Sequence, residues 1–358
     1  MSETGRGPAA PADAFAARLL SWFDAHRRDL PWRRTRDPWA IWVSEVMLQQ
    51  TRVEAVREPY ARFLAAFPTP AAFAAASDDE LLLAWRGLGY YRRARLLRDG
   101  ARKVATEHGG EVPSSPEALG ALPGVGNYTC GAVASIAFGH AVVAVDGNVE
   151  RVVARHRGID AVMATGPGRR LATEVVTGWQ DPARPGDFNQ ALMELGAMVC
   201  TPTSPDCASC PVALDCVARA EGRTAELPVR KAPPTTIEVT ARVVVARRGE
   251  RLLGYRIPAD QPNGGQVELP GPGVLTDCDP DDLAGVLATR FDAEVTPGAA
   301  IAAVRHAITR HRITLHAHPA TVARCGRLEW FADDGQTPWT TPSRKLFARL
   351  DRTGQVGA

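Results

Sequence analysis

Lysine is almost missing from this 358-residue sequence: of 42 basic residues, only Lys103, Lys231 and Lys345 are not arginine. Excess charge is missing too. Against 40 acidic residues the formal net charge is +2, so no global basicity announces a nucleic acid or an anionic surface. The bias towards arginine and alanine fits a GC-rich genome, and arginine abundance alone carries no functional weight. Long apolar runs are also absent. The longest, around Ala132 to Val145, is interrupted by His140 and falls short of the roughly 20 residues a membrane span needs. No basic start followed by an apolar run marks a secretory signal. These absences predict a cytoplasmic protein with no membrane association. Its seven cysteines should be reduced there, so a tight cluster of them implies metal rather than disulfides.

What is present reads as two folded regions. Residues 1–12 are Pro/Ala/Gly-rich and are predicted disordered. From 13 to 222 the pattern is helical. Phe15, Leu19, Leu20, Trp22 and Phe23 recur at helical spacing in Asp13–His26, and further helices are expected at Trp39–Arg57, Asp78–Trp85 and Arg92–Glu107. Residues 223–236 are polar and carry Pro228, Pro233 and Pro234, as a linker would. Beyond it, Glu238–Val245 and Ile313–His318 read as strands and Asp281–Phe291 as a helix. The expected class is a mainly α N-terminal domain with a smaller α+β domain at 237–350.

The sharpest local feature is Leu122-Pro123-Gly124-Val125-Gly126. A short helix opens before it at Ser115–Leu119 and an apolar one follows at Tyr128–Phe138. Two helices joined by Pro-Gly-x-Gly make a helix-hairpin-helix. Its glycines permit positive φ and close approach, and N–H groups at the second helix's start can grip a phosphate without reading sequence. A glycine-rich connection with no ligand fits the pentapeptide equally well. Local arginine clusters flank other motifs, at Arg33, Arg34 and Arg36 and at Arg92, Arg93, Arg95 and Arg98; solvated helix faces explain them as readily.

Cys200, Cys207, Cys210 and Cys216 give C-x6-C-x2-C-x5-C, a thiolate set suited to zinc or an iron–sulfur cluster; spacing alone does not choose between them, and general ligand chemistry leans slightly to zinc. Cys130, Cys278 and Cys325 are isolated and read as small buried hydrophobes. Glu45 lies in an apolar helix, Trp42 to Leu48. It is either salt-bridged structure or a carboxyl kept protonated to act as an acid. Asp146 follows the apolar run Val142–Val145. It is either a helix N-cap or a second carboxylate that stabilises developing positive charge.

Taken together these residues resemble the helix-hairpin-helix DNA glycosylases, and within them the MutY-type adenine glycosylases. The resemblance rests on Leu30-Pro31-Trp32-Arg33, Trp42 to Thr51, Trp85 to Tyr91, Val145 to Val149 and Phe188 to Cys200. It covers residues 13–220 closely and the rest loosely. It implies a [4Fe–4S] cluster on the 200–216 loop, which displaces the lean to zinc, and a Nudix-like lesion-recognition domain at 237–350. It also implies a bacterial, nucleoid-associated monomer. The implied partner is duplex DNA with adenine opposite 8-oxoguanine or guanine, and the adenine would be flipped into a pocket. Glu45 would protonate adenine at N7, and ionised Asp146 would stabilise or transiently bond the sugar cation. Tyr128 and Asn148 would support this pair. Trp32, Arg33 and Gln190 match the adenine pocket. Gln50, Thr51, Leu88, Tyr90, Gly124, Val125 and Gly126 match positions at the DNA, with Gln50 and Tyr90 wedging into the duplex.

The resemblance also marks departures. Lysine-bearing relatives that cut the strand carry the amine at the position of Tyr128, so no efficient lyase activity is expected. The loop Thr201–Asp206 has no cation. The C-terminal domain lacks an acidic Nudix helix, so no nucleotide hydrolysis is expected. The lesion-reading residues would be Thr309 and Arg310, in Ile308-Thr309-Arg310 where the family shows Phe-Ser-His. The competing readings are a glycosylase of another mismatch specificity, such as thymine opposite guanine, and a non-catalytic DNA-binding protein.

Overall fold

A computed structural model describes residues 12–230, 235–261 and 263–353. Most of the segment expected to be disordered, and the middle of the expected linker, lie outside these residues. The chain divides into two compact units, Met1–Ala75 with Arg93–Ala232 and Ala76–Arg92 with Pro233–Ala358. Residues 76–92, read from sequence as part of the helical domain, thus group with the C-terminal unit.

Helices run in the order α1 Ala12–His26, α2 Pro38–Leu48, α3 Val53–Ala66, α4 Pro70–Ala74, α5 Asp78–Ala84, α6 Arg92–Glu107, α7 Pro116–Gly120, α8 Asn127–Phe138, α9 Gly147–Arg157, α10 Gly166–Trp179, α11 Pro185–Met198, α12 Val217–Ala220, α13 Leu283–Phe291 and α14 Thr341–Thr353. Among the described residues no helix is long and apolar enough to cross a membrane. Caps set many of the boundaries. Asp37 accepts from Trp39 N with Pro38 at the first helical position, Ser115 caps α7, and Gly139 and Gly158 end α8 and α9 in the left-handed conformation.

In the first unit, Phe15, Leu19 and Phe23 of α1 pack on Val149, Val152 and Val153 of α9, Trp179 of α10 and Phe188 and Leu192 of α11. A second aromatic group joins Trp39 to Phe63, Phe67 and Phe73 around the buried α2. The single helix expected over Trp39–Arg57 is two. The chain breaks after Leu48, with Gln50 in the left-handed region at φ 56°. One guanidinium nitrogen of Arg93 donates to the carbonyls of Val46, Met47 and Gln49 at 2.7, 3.0 and 2.5 Å. A side chain more than 40 residues away in sequence thus satisfies the orphan carbonyls at the end of α2.

The second unit is α+β. Strand β7 (His311–Arg324) runs parallel to β1 (Ile237–Val245) and antiparallel to β5 (Glu294–Pro297) and β6 (Ala302–Ile308). Around β3 (Arg251–Arg256) pair β2 (Arg247–Arg248), β4 (Val267–Glu268) and β8 (Glu329–Ala332), all antiparallel. Leu346 and Leu350 of α14 enter one core with Val239, Ile313 and Leu315, while Leu283, Leu287 and Phe291 of α13 enter another with Val244 and Leu253. The β6–β7 hairpin turns on two exposed residues, Thr309 and Arg310. Thr309 sits there at φ 50°, a rare conformation for a β-branched residue, and its hydroxyl donates to Ile308 O at 2.8 Å.

Candidate active site

A cavity of about 1290 Å³ opens in the first unit. Its wall brings together most of the residues singled out from sequence: Trp32, Arg33, Glu45, Gln50, Thr51, the hairpin Gly124-Val125-Gly126, Tyr128, Asp146, Asn148 and Gln190. The hairpin is α7, a turn and α8, as expected. Only Gly124 of its two glycines has positive φ, at 77°, where a Cβ would also stand 2.8 Å from Leu96 Cβ. Gly126 is extended (φ −90°) and caps α8 with no side-chain partner, leaving open space where a Cβ would be. The helix N-terminus is thus presented bare, as an anion-gripping turn requires.

Glu45 projects from the buried α2 and is 5% exposed. Burial pushes its pKa up to about 7, helped by the nearby Asp146 and opposed by a hydrogen bond from Tyr128. The Tyr128 hydroxyl lies 2.5 Å from Glu45 Oε2, and 3.3 Å from Met193 Sδ. Burial raises Tyr128 well above the usual tyrosine range, so its proton stays available to Glu45.

Asp146 is the helix N-cap, the first of the two roles the sequence allowed. It caps α9, accepting from Asn148 N at 2.9 Å and Val149 N at 2.8 Å through Oδ1. Its Oδ2 accepts from Asn148 Nδ2 at 2.8 Å. Burial raises its pKa, while these three donors and the Arg151 charge pull it back. The preceding strand-like segment is fixed by Asn189, whose Oδ1 accepts from Ala144 N and whose Nδ2 donates to Val142 O. Gly131 of α8 permits that close approach, since a Cβ there would lie 2.1 Å from Val143 O. One carboxyl thus titrates near neutrality while its neighbour is hydrogen-bonded as an anion, the environment split an acid and a charge stabiliser need.

Sequence reading missed Glu194. It is buried at the cavity wall and receives two forks. Arg33 donates to both oxygens at 2.9 Å, and Arg28 donates at 3.0 and 2.6 Å, with its backbone N–H adding 2.9 Å. Burial opposes the charge, but the guanidinium bonds outweigh it and hold the pKa at about 2. Arg33, expected to read adenine, is therefore first of all half of this clamp. Glu194 lies inside the motif Phe188–Cys200, four residues after Gln190; that helical spacing was the available signal. Trp32 is buried edge-on to Tyr60, and Gln190 spends one amide bond on Gly186 O at 3.3 Å.

Leu88, Tyr90, Thr309 and Arg310 belong to the second unit. Leu88 is buried, whereas Tyr90 is 53% exposed. The four clustered cysteines form no disulfide. Arg151 and Arg155 of α9 reach the start of their loop, donating to Cys200 O at 2.8 Å and to Thr201 O and Pro202 O at 2.7 and 3.0 Å. Arg155 also lies 3.4 Å from Cys200 Sγ, and backbone N–H groups of Val212, Ala218 and Arg219 donate to the thiols of Cys210 and Cys216.

Residues 43–176 match the profile described as HhH-GPD superfamily base excision DNA repair protein. The chain also resembles solved structures over 58% of its length. A thermostable thymine-DNA glycosylase matches with TM-score 0.54 and 31% identity over 58% of this chain and 95% of that one. A non-covalent endonuclease III–DNA complex matches with TM-score 0.50 and 25% identity over 58% and 94%. The chain belongs to the HhH-GPD superfamily of base excision DNA repair proteins. It is 51% identical over 223 residues to adenine DNA glycosylase of Homo sapiens (59% of this chain, 40% of the relative). Against the Rattus norvegicus protein it is 49% identical over 273 residues (73% and 52%), and against that of Mycolicibacterium smegmatis 45% over 197 (54% and 66%). The curated relatives it matches at these identities are named adenine DNA glycosylase. The chain spans 40–66% of the length of these curated relatives.

Proposed function

We propose that the protein is a monofunctional DNA N-glycosylase that removes adenine mispaired with 8-oxoguanine or guanine. The observation that carries this is the carboxyl pair on one cavity: Glu45, proton-bearing near neutrality and bonded to Tyr128, beside Asp146, held by three donors at the head of α9. Adenine is flipped into the cavity beside Trp32, Arg33 and Gln190. Glu45 protonates it at N7, which makes the base a better leaving group. The glycosidic bond breaks with cationic character at C1′, and Asp146 stabilises that charge or bonds it transiently. Glu45, now ionised, orients the attacking water. The α8 N-terminus and its glycine turn grip the backbone phosphate, and Gln50 enters the duplex.

The cysteine set fits a [4Fe–4S] cluster. The Cys210 and Cys216 thiols lie within electrostatic reach of the other cysteines of the set, and backbone N–H groups and Arg155 point at sulfurs of the set, the polar surround such a cluster takes. Cys200, Cys207, Cys210 and Cys216 would hold it, and it would supply a fold for the loop rather than chemistry at the adenine. Iron and acid-labile sulfide in equal amounts, lost in Cys210→Ser, is the expected analysis. The α+β unit would be Nudix-like, with Thr309 and Arg310 reading the lesion; its exposed, left-handed Thr309 supports a contact made at the hairpin tip.

The test is single-turnover base release from duplexes with adenine opposite 8-oxoguanine, guanine or thymine, and with thymine opposite guanine. Fast release in the first, slower in the second and none in the others is expected. Release of thymine without adenine would replace the substrate assignment, and no release at all would leave a DNA-binding protein.

A further inference from the structure

Residues 76–92 are built into the second unit by several independent anchors. Asp79, in α5, pairs with Arg256 at the end of β3, 2.7 Å apart. Arg86 donates to Gly335 O at 2.8 Å. Leu82 fills the space beside Gly265, where a Cβ would stand 3.3 Å from Leu82 Cδ1. Tyr91 is buried, its hydroxyl hydrogen-bonded to the buried Gln266 side chain, and Arg344 of α14 faces both Tyr91 and Arg86.

Between these anchors the chain makes a tight turn. Gly87 and Gly89 have φ of 94° and 67°, and Trp85 Nε1 donates to Gly89 O at 3.1 Å. Tyr90 follows at φ 48°, with its side chain half exposed. A bulky residue in the left-handed region is strained and persists only where its surroundings over-determine it. Here the residues on either side of it, Arg86 and Tyr91, are both fixed by the C-terminal unit.

We propose that Gln266, Arg344 and Arg256 are positioning residues for Tyr90, and that the C-terminal unit thereby contributes to discrimination of the base opposite adenine through a residue outside its own hairpin tip. The proposal rests on the reading of Tyr90 as the side chain that enters the duplex beside that base. An aromatic ring already held in its inserting conformation gives up less freedom on binding, so its stacking reaches the complex undiminished. Discrimination then has two sources in this unit, the Thr309–Arg310 turn and the rigidity of the Tyr90 turn.

The test uses the full chain and duplexes made uncleavable by a 2′-fluorine on the adenosine. Tyr91→Phe removes only the hydroxyl that meets Gln266. It should speed amide hydrogen exchange at residues 86–91 and nowhere else in the chain. It should also weaken binding to the 8-oxoguanine duplex about fivefold, the scale of one buried hydrogen bond, with a smaller loss opposite guanine. Arg256→Ala, on an exposed pair, should act in the same direction more weakly. In a Tyr90→Ala background Tyr91→Phe should add nothing further. Faster exchange with unchanged affinities, or losses that simply add, would overturn the proposal. If Tyr90→Ala alone bound like the unaltered protein, the reading of Tyr90 would fail and the proposal with it.

Discussion

The Tyr128 hydroxyl donates to Glu45 Oε2 across 2.5 Å, although the two residues come from different helices and lie 83 residues apart in sequence. The bond favours the ionised form of Glu45 and so restrains a pKa that burial pushes upward. Release of adenine should therefore be fast with Glu45 protonated and should decline above about pH 7. Tyr128→Phe removes the restraint, so the declining limb should move to higher pH by about one unit. Glu45→Gln should slow release by at least about a hundredfold at every pH. Single-turnover rates on the 8-oxoguanine duplex, measured from about pH 5 to about pH 9 on either side of the titration, read all three.

Glu45 also costs the fold stability where it works. Its folded pKa, about 7, lies above the ordinary value of 4.5. The native state thus holds a proton more firmly than the unfolded chain, and stability is present in full below pH 4.5 and lost as pH rises through 7. Glu45→Gln abolishes that loss. The variant should match the unaltered protein near pH 4.5 and exceed it at higher pH by an amount on the order of 3 kcal/mol. Urea unfolding at the two extremes measures the difference; equal gaps at both would contradict it.

Glu194 has the opposite sign. Its pKa is held at about 2, so its stabilisation is present above 4.5 and disappears as pH falls through 2. Glu194→Gln leaves two guanidinium groups at the cavity wall without their counter-charge and should cost about 3 kcal/mol at neutral pH. The gap should close as the medium is acidified below 4.5. Adenine affinity should drop too, because Arg33 loses the fork that fixes its plane.

No amine lines the cavity among the described residues. Lys103 is engaged elsewhere, donating to Ala121 O at 3.2 Å and pairing with Glu107 at 3.7 Å. Borohydride added during turnover should therefore trap no covalent protein–DNA adduct, while base release proceeds. A trapped adduct would show that an imine forms and that the monofunctional assignment is wrong.

Much of the site was legible because its parts are local. The glycine turn, Asp146 at a helix start and Glu45 within an apolar helix each declare themselves within a few residues. The break in Trp39–Arg57 did not. Gln49-Gln50-Thr51 contains no glycine or proline, and the cause is Arg93, brought in by tertiary packing. Glu194 was hidden for a similar reason: nothing near it in sequence tells that Arg28 and Arg33 converge on it from over 160 residues away. The membership of 76–92 in the C-terminal unit depends on Asp79–Arg256 and Tyr91–Gln266, pairings across some 175 residues that no periodicity encodes.

Helix α9 carries Asp146 at its head, and further along it Arg151 and Arg155 clasp the opening of the cysteine loop. Over its 11 residues, about 16 Å, one rigid rod is shared by two features that a mutational survey would score separately. A change in the loop that tilts this rod would also move the carboxyl at its head, so a substitution near Cys200 should be read out at Asp146 as well as at the loop.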